Sequence, residues 1–275
     1  MIVFSVAMVG CSSPTAAPET DTGAPMLADP RGLALPVQAY RLTAEQRAVV
    51  DRAHAQLVGE CMRRAGFTTA PAHARPSFDP MSRRYGVTDP ATAKRLGYHL
   101  EPDQLVVNHA DKGPRPSPAE MRALTGNTDG RQLPPGRAGD TGCLGSASDA
   151  LGIDGTEETL ADQIDFDGFA RSKSDPRVIE VFARWSRCMT ERGYAYTTPL
   201  AVAADFDITA TVISPAEIET ALADVACKAA TDVVGVWYSV ECDYENSMIE
   251  RARPALTAIQ ERNTVIVDNA VHVLG

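Results

Sequence analysis

Two stretches of this chain end in the same way, and that repetition constrains the fold more than any other feature. Glu60-Cys61-Met62-Arg63-Arg64-Ala65-Gly66-Phe67 and Arg187-Cys188-Met189-Thr190-Glu191-Arg192-Gly193-Tyr194 each set a cysteine five residues before a glycine that an aromatic follows. The order reads as the closing turns of an amphipathic helix, with the cysteine on the apolar stripe and the glycine beyond the last turn. Upstream of the first copy, Thr43-Ala44-Glu45-Gln46 has the residues of a capping box, and Val50, Ala53, Leu57 and Cys61 share one helical face. Upstream of the second, Asp175-Pro176 opens a helix whose stripe is Val178, Val181, Phe182, Trp185, Cys188 and Met189.

The remaining pattern is also helical. Short helices are expected from Cys143 to Leu151 and from Glu157 to Ile164. Ser214-Pro215-Ala216-Glu217 starts another, with Ile218, Leu222, Val225 and Ala229 on one apolar face and Ala223, Cys227, Ala230 and Val234 on a second, which predicts a helix sandwiched between neighbours. From Gly235 onward, Trp237, Val240, Tyr244, Met248, Ala252, Leu256, Ile259, Ile266 and Ala270 sustain one stripe, and Pro254 predicts a kink near Glu250. Between Phe67 and Thr141 prolines recur, and only a short helix at Ser117-Pro118-Ala119-Glu120 and a β-like piece at Gln104-Leu105-Val106-Val107 stand out. The fold class that follows is mostly α: a helical bundle-like body with an irregular Pro-rich excursion and a long C-terminal helix. A single domain is expected over 40–275, made of two loosely duplicated halves, 40–151 and 157–275.

Each copy of the repeat is followed by Thr-Thr and a proline, then by Ser-Pro-Ala-Glu, then by one more cysteine. That parallel suggests one disulfide per half, Cys61 with Cys143 and Cys188 with Cys227. Four cysteines permit three pairings, and the duplication is the reason for preferring this one. Cys242 is then expected to be a free, buried thiol.

Ile2 to Val9 is an apolar run well short of the roughly 20 residues a spanning helix needs, but long enough for the core of a signal peptide. It ends in Met8-Val9-Gly10-Cys11, which resembles the lipobox of bacterial lipoprotein precursors and marks Cys11 for lipid attachment. Met8 stands where a branched aliphatic is usual, and no basic residue precedes the run; a start assigned too far downstream would account for the second departure. Residues 12–39, poor in large apolar side chains at their beginning, are expected to form a flexible tether.

A formal charge of -10, with no basic run longer than a pair, argues against nucleic acid as a partner. The six cysteines contain no Cys-x-x-Cys, and there is no serine-hydrolase elbow, zinc-protease helix, phosphate loop or dinucleotide fingerprint. No catalytic, cofactor-binding or metal site is therefore assigned. The acid pairs Asp165/Asp167 and Asp205/Asp207, and His99 with His109, are weak candidates for a cation.

Taken together, the Gly-Cys followed by a tether, the two Cys-Met-x-x-x-Gly-aromatic helix ends, and Ala223-Asp224-Val225-Ala226-Cys227-Lys228 with Trp237-Tyr238-Ser239-Val240-Glu241 resemble secreted lipoproteins of high-GC actinobacteria. The resemblance implies a location and four structural cysteines, and no activity. The expected function is that of a non-enzymatic, lipid-anchored cell-envelope protein, a scaffold or interaction module with the membrane and an envelope protein as partners and no cofactor. The alternative is an extracytoplasmic small-molecule or metal-binding lipoprotein, and an envelope hydrolase built on the acid pairs is the remotest.

Overall fold

The structure, a computed structural model, describes residues 30, 32–68, 81–101, 116–126, 141–155, 159–208 and 210–275. Cys11, His73, His109 and the β-like piece at 104–107 lie outside them. The described residues form eight α-helices and no strands: α1 (Ala44–Arg64), α2 (Pro90–Leu96), α3 (Pro118–Thr125), α4 (Gly142–Leu151), α5 (Thr159–Ser172), α6 (Pro176–Glu191), α7 (Pro215–Thr231) and α8 (Val233–Leu274), with short 3-10 turns at Pro36–Tyr40 and Val202–Asp205.

The helix starts follow the sequence closely. Thr43 accepts from the Gln46 amide while the Gln46 side chain accepts from the Thr43 amide, and Ser117 and Glu120 do the same for α3. Each box satisfies two of the backbone N–H groups that a helix start leaves open. Asp175 caps α6 by accepting from the Arg177 amide. Asp89 caps α2, a helix not expected from the periodicity although Asp89-Pro90 carries the same signature as Asp175-Pro176. α5 extends to Ser172, eight residues beyond the expected end at Ile164. α7 stops at Asp232, which holds a left-handed φ of 55°, and α8 begins at once and runs through Pro254 to Leu274.

The chain packs as two compact units. One comprises Met1–Val37, Phe78–Val106 and Ile164–Glu250; the other comprises Gln38–Ser77, Val107–Gln163 and Arg251–Gly275. They do not follow the expected halves, because burial pairs elements across that division. In the second unit, Val50 and Ala53 of α1 and Leu151 of α4 pack with Ile266 and Ala270 near the C-terminus of α8, while Val58 and Met62 pack with Cys143 and Ala147. In the first unit, Met81, Tyr85, Val87, Ala93 and Tyr98 join the apolar faces of α6, α7 and the start of α8. Trp237 stands at the centre of that core, with Phe169 stacked at 5.3 Å, Phe182 edge-on at 5.0 Å and Tyr85 tilted at 5.1 Å.

Each unit contains one of the expected bridges. Cys61–Cys143 and Cys188–Cys227 have Cα separations of 5.6 and 5.7 Å, inside the range a disulfide tolerates. Cys61 and Cys188 sit half-buried at the edge of their stripes, and Cys143 and Cys227 come to them from the buried side. These bridges indicate an oxidising, extracytoplasmic setting.

Two expectations need correction. Cys242 is not a free thiol: it is disulfide-bonded. Cys242 is buried as expected, at 1% exposure, and a buried sulfur is equally apolar in either state. The tether does not extend through 12–39, since Leu35 and Val37 are buried and the Tyr238 hydroxyl donates to the Ala34 carbonyl. Those two apolar side chains find a place in the core that composition alone does not reveal.

Candidate functional site

The first unit buries more charge than its sequence pattern suggests, in two clusters. α7 was expected to carry two purely apolar faces. Instead Glu217, Asp224 and Lys228 are buried on it, while Ile218, Leu222 and Ala229 are half-buried and Ala230 is exposed. Lys228 Nζ donates to Asp224 Oδ2 and to the Val87 carbonyl, each at 2.9 Å, and Asp224 also accepts from Trp185 Nε1 at 3.0 Å and the Tyr98 hydroxyl at 3.2 Å. Burial pushes the Asp224 carboxyl up, against the pull of Lys228 and the hydrogen bonds. Glu217 does not return to close the capping box as Glu120 does; it accepts from the Tyr98 amide at 2.8 Å. Gly97 makes this possible, since a Cβ there would lie 2.5 Å from Glu217 Oε1. Buried donors and acceptors that answer one another in this way fasten α2 to α7.

The second cluster lies beside Trp237. Glu241 and Glu245 are one turn apart on α8, both fully buried, and Asp165 approaches from α5. One oxygen from each of the three carboxylates lies within 4.8 Å of the others. Arg84 places its guanidinium between Glu241 and Asp165, with Nε 2.9 Å from Glu241 Oε1 and Nη2 2.5 Å from Asp165 Oδ1, and stacks 5.0 Å above the Phe169 ring. The Tyr85 hydroxyl donates to Glu241 Oε2 at 2.8 Å, and the Val37 amide donates to Glu245 Oε2 at 2.9 Å. Glu245 Oε1 is buried without a hydrogen-bond partner. Burial is the main cause of Glu245 being raised to about 8; the neighbouring charges of Glu241 and Asp165 raise it further and the Val37 amide opposes them. Glu241 is also raised by burial, with Arg84 pulling the other way.

Of the weak candidates in the sequence, Asp165 joins the carboxylate cluster, and its companions are Glu241 and Glu245 rather than Asp167. Both members of the first acid pair lie on α5, and Asp167 is half-buried and pairs with Arg171 at 3.9 Å. Asp205 and Asp207 are exposed near the second 3-10 turn. His99 is buried, with Nε2 3.5 Å from Glu217 Oε2, and His54 lies 3.2 Å from the Ser148 hydroxyl. A shallow polar depression is lined by Ser82, Arg83, Thr88, Asp89, Thr92 and Glu101. Its Asp89 is spent on capping α2, and its Arg83 on the carbonyls of Tyr98 and His99. Glu241 and Glu245 escaped sequence reasoning because charged residues beside an apolar stripe are normally solvated. Their i, i+4 spacing, with Trp237 one turn before, was the available signal.

No family model matches the chain, and neither does any curated protein or solved structure. Function must therefore be argued from the site itself.

Proposed function

We propose that the protein acts outside the cytoplasm as a non-enzymatic scaffold or docking module, held at the membrane by lipid on Cys11 and engaging another envelope protein. The observation that carries the reading is that each compact unit is closed by its own disulfide, Cys61–Cys143 in one and Cys188–Cys227 in the other. Such bridges persist where the surroundings are oxidising, and they let domains of modest size hold a fixed surface. The anchor rests on Met8-Val9-Gly10-Cys11 and the polar segment after it. No helix among the described residues is long and apolar enough to cross a membrane, so the reading puts all of the attachment on the lipid. A structural rather than catalytic role is supported by the contacts of the buried charges: Asp224, Glu241 and Glu245 accept hydrogen bonds from Trp185, Tyr85 and the Val37 amide on neighbouring elements.

A sulfur carrying a lipid thioether cannot also form a disulfide, so the reading requires that the bridge of Cys242 be made to a cysteine other than Cys11. The test therefore combines detergent-phase partition of wild type and Cys11→Ala with non-reducing peptide mapping. The reading expects wild type in the detergent phase, an acylated Cys11 peptide, and release of the variant into the aqueous phase. A Cys11–Cys242 peptide in the mature protein, or membrane retention of Cys11→Ala, overturns the anchor.

A further inference from the structure

We propose that Asp165, Glu241 and Glu245 form a binding site for one hard divalent cation of the calcium, magnesium or manganese class. Oxygens within 4.8 Å of one another can share a single ion through bonds of about 2.0 to 2.6 Å. A donor set made only of carboxylates selects hard cations over the softer metals that favour imidazole and thiolate.

Acidic clusters are common without any ligand, and what points to one here is Glu245. Its side chain is turned into the cluster and fully buried, with Oε2 taken by the Val37 amide and Oε1 meeting no donor. A buried carboxylate oxygen without a partner is costly, and native interiors seldom leave one. The position is also built for close approach, since a Cβ on Gly168 of α5 would lie 2.9 Å from Glu245 Cγ and 3.6 Å from Oε1. Arg84 does not supply the missing partner, because its guanidinium is committed to Glu241, Asp165 and the face of Phe169. Among the described residues, three carboxylates facing one guanidinium leave an excess of two negative charges when all are ionised, which one divalent ion balances.

The test uses the full-length, disulfide-intact protein stripped of metal and titrated calorimetrically with Ca²⁺, Mg²⁺ or Mn²⁺. Tb³⁺ serves as a luminescent stand-in that Trp237, one turn before Glu241, is placed to sensitise. The expected result is one saturable site per chain, with Trp-sensitised emission displaced by the divalent ion. Glu245→Gln keeps the side-chain size and the acceptor for Val37, and it weakens binding roughly tenfold or more. Gly168→Ala, which crowds Glu245 without changing any charge, weakens binding as well and decides the matter should the first variant fail to fold. Glu180→Gln, an exposed carboxylate paired with Arg184 on α6, leaves affinity unchanged. No saturable binding at millimolar concentrations overturns the proposal, and so does equal affinity in wild type, Glu245→Gln and Gly168→Ala, the result for an exposed acidic patch or a site occupied only by a proton.

Discussion

The pair formed by Asp224 and Lys228 gives a sharp test of what holds the first unit together. Both side chains are buried, at 0% and 2% exposure, and each charge is answered by the other at 2.9 Å. Replacing one member leaves the other as an uncompensated buried charge, for which about 3 to 5 kcal/mol is typical. Asp224→Asn retains an acceptor for Trp185, and Lys228→Met retains an apolar side chain of similar length, so the lower end applies: about 3 kcal/mol for each single variant. In the double variant neither charge remains, and the asparagine still answers the Trp185 N–H. Its cost is expected to be about 2 kcal/mol rather than the 6 or so that addition would give, a coupling of roughly 4 kcal/mol, above the usual range of about 0.5 to 3 for residues in contact and within that of close charge pairs. Urea unfolding with the disulfides intact measures this, followed by tryptophan fluorescence. Both tryptophans, Trp185 and Trp237, are in the core of this unit. Additive losses, or single variants costing under about 1 kcal/mol, would refute the argument that the pair is held by mutual charge compensation.

Three further outcomes follow from the same structure. In metal-free buffer, Glu245 holds a proton in the fold, with its carboxyl raised to about 8, that the unfolded chain releases near pH 4.3, so its contribution is complete at low pH and is lost as pH rises through 8. Wild-type stability should fall by at most about 5 kcal/mol from this source across that window, and Glu245→Gln should flatten the slope in urea titrations at several pH values. Gly97→Ala forces a Cβ onto Glu217 at a φ of 54° and should cost about 2 to 3 kcal/mol, whereas Gly193→Ala, at a φ of 91° with nothing within 4 Å, should cost about 1, as read from urea midpoints. On the chain-entropy account, with separations of 39 and 82 residues, removing Cys188–Cys227 by paired serines should cost about 4 kcal/mol and removing Cys61–Cys143 about 4.5, compared by thermal unfolding.

Helix starts, helix ends and the α-rich class were legible in the sequence because they rest on short-range physics. A hydroxyl or carboxylate three residues before a backbone amide satisfies it whatever the rest of the chain does, as at Thr43 and Ser117. The period of the apolar stripe on α8 likewise requires only a helix and an interior, and Trp237, Val240, Leu256, Ile266 and Ala270 are buried along it. The two described bridges could be paired because the order of elements around Cys61 and Cys188 repeats with one further cysteine each. Tertiary structure alone decided which segments share a core, so that α2 joins α7 and the last turns of α8 join α1 and α4. It also decided which charges are buried. Glu217, Asp224, Lys228, Glu241 and Glu245 look like solvated helix residues one at a time, because a charge leaves water only when distant partners are already in place to receive it, and those partners are Gly97 and Tyr98, Trp185, Val87, Arg84 and Val37.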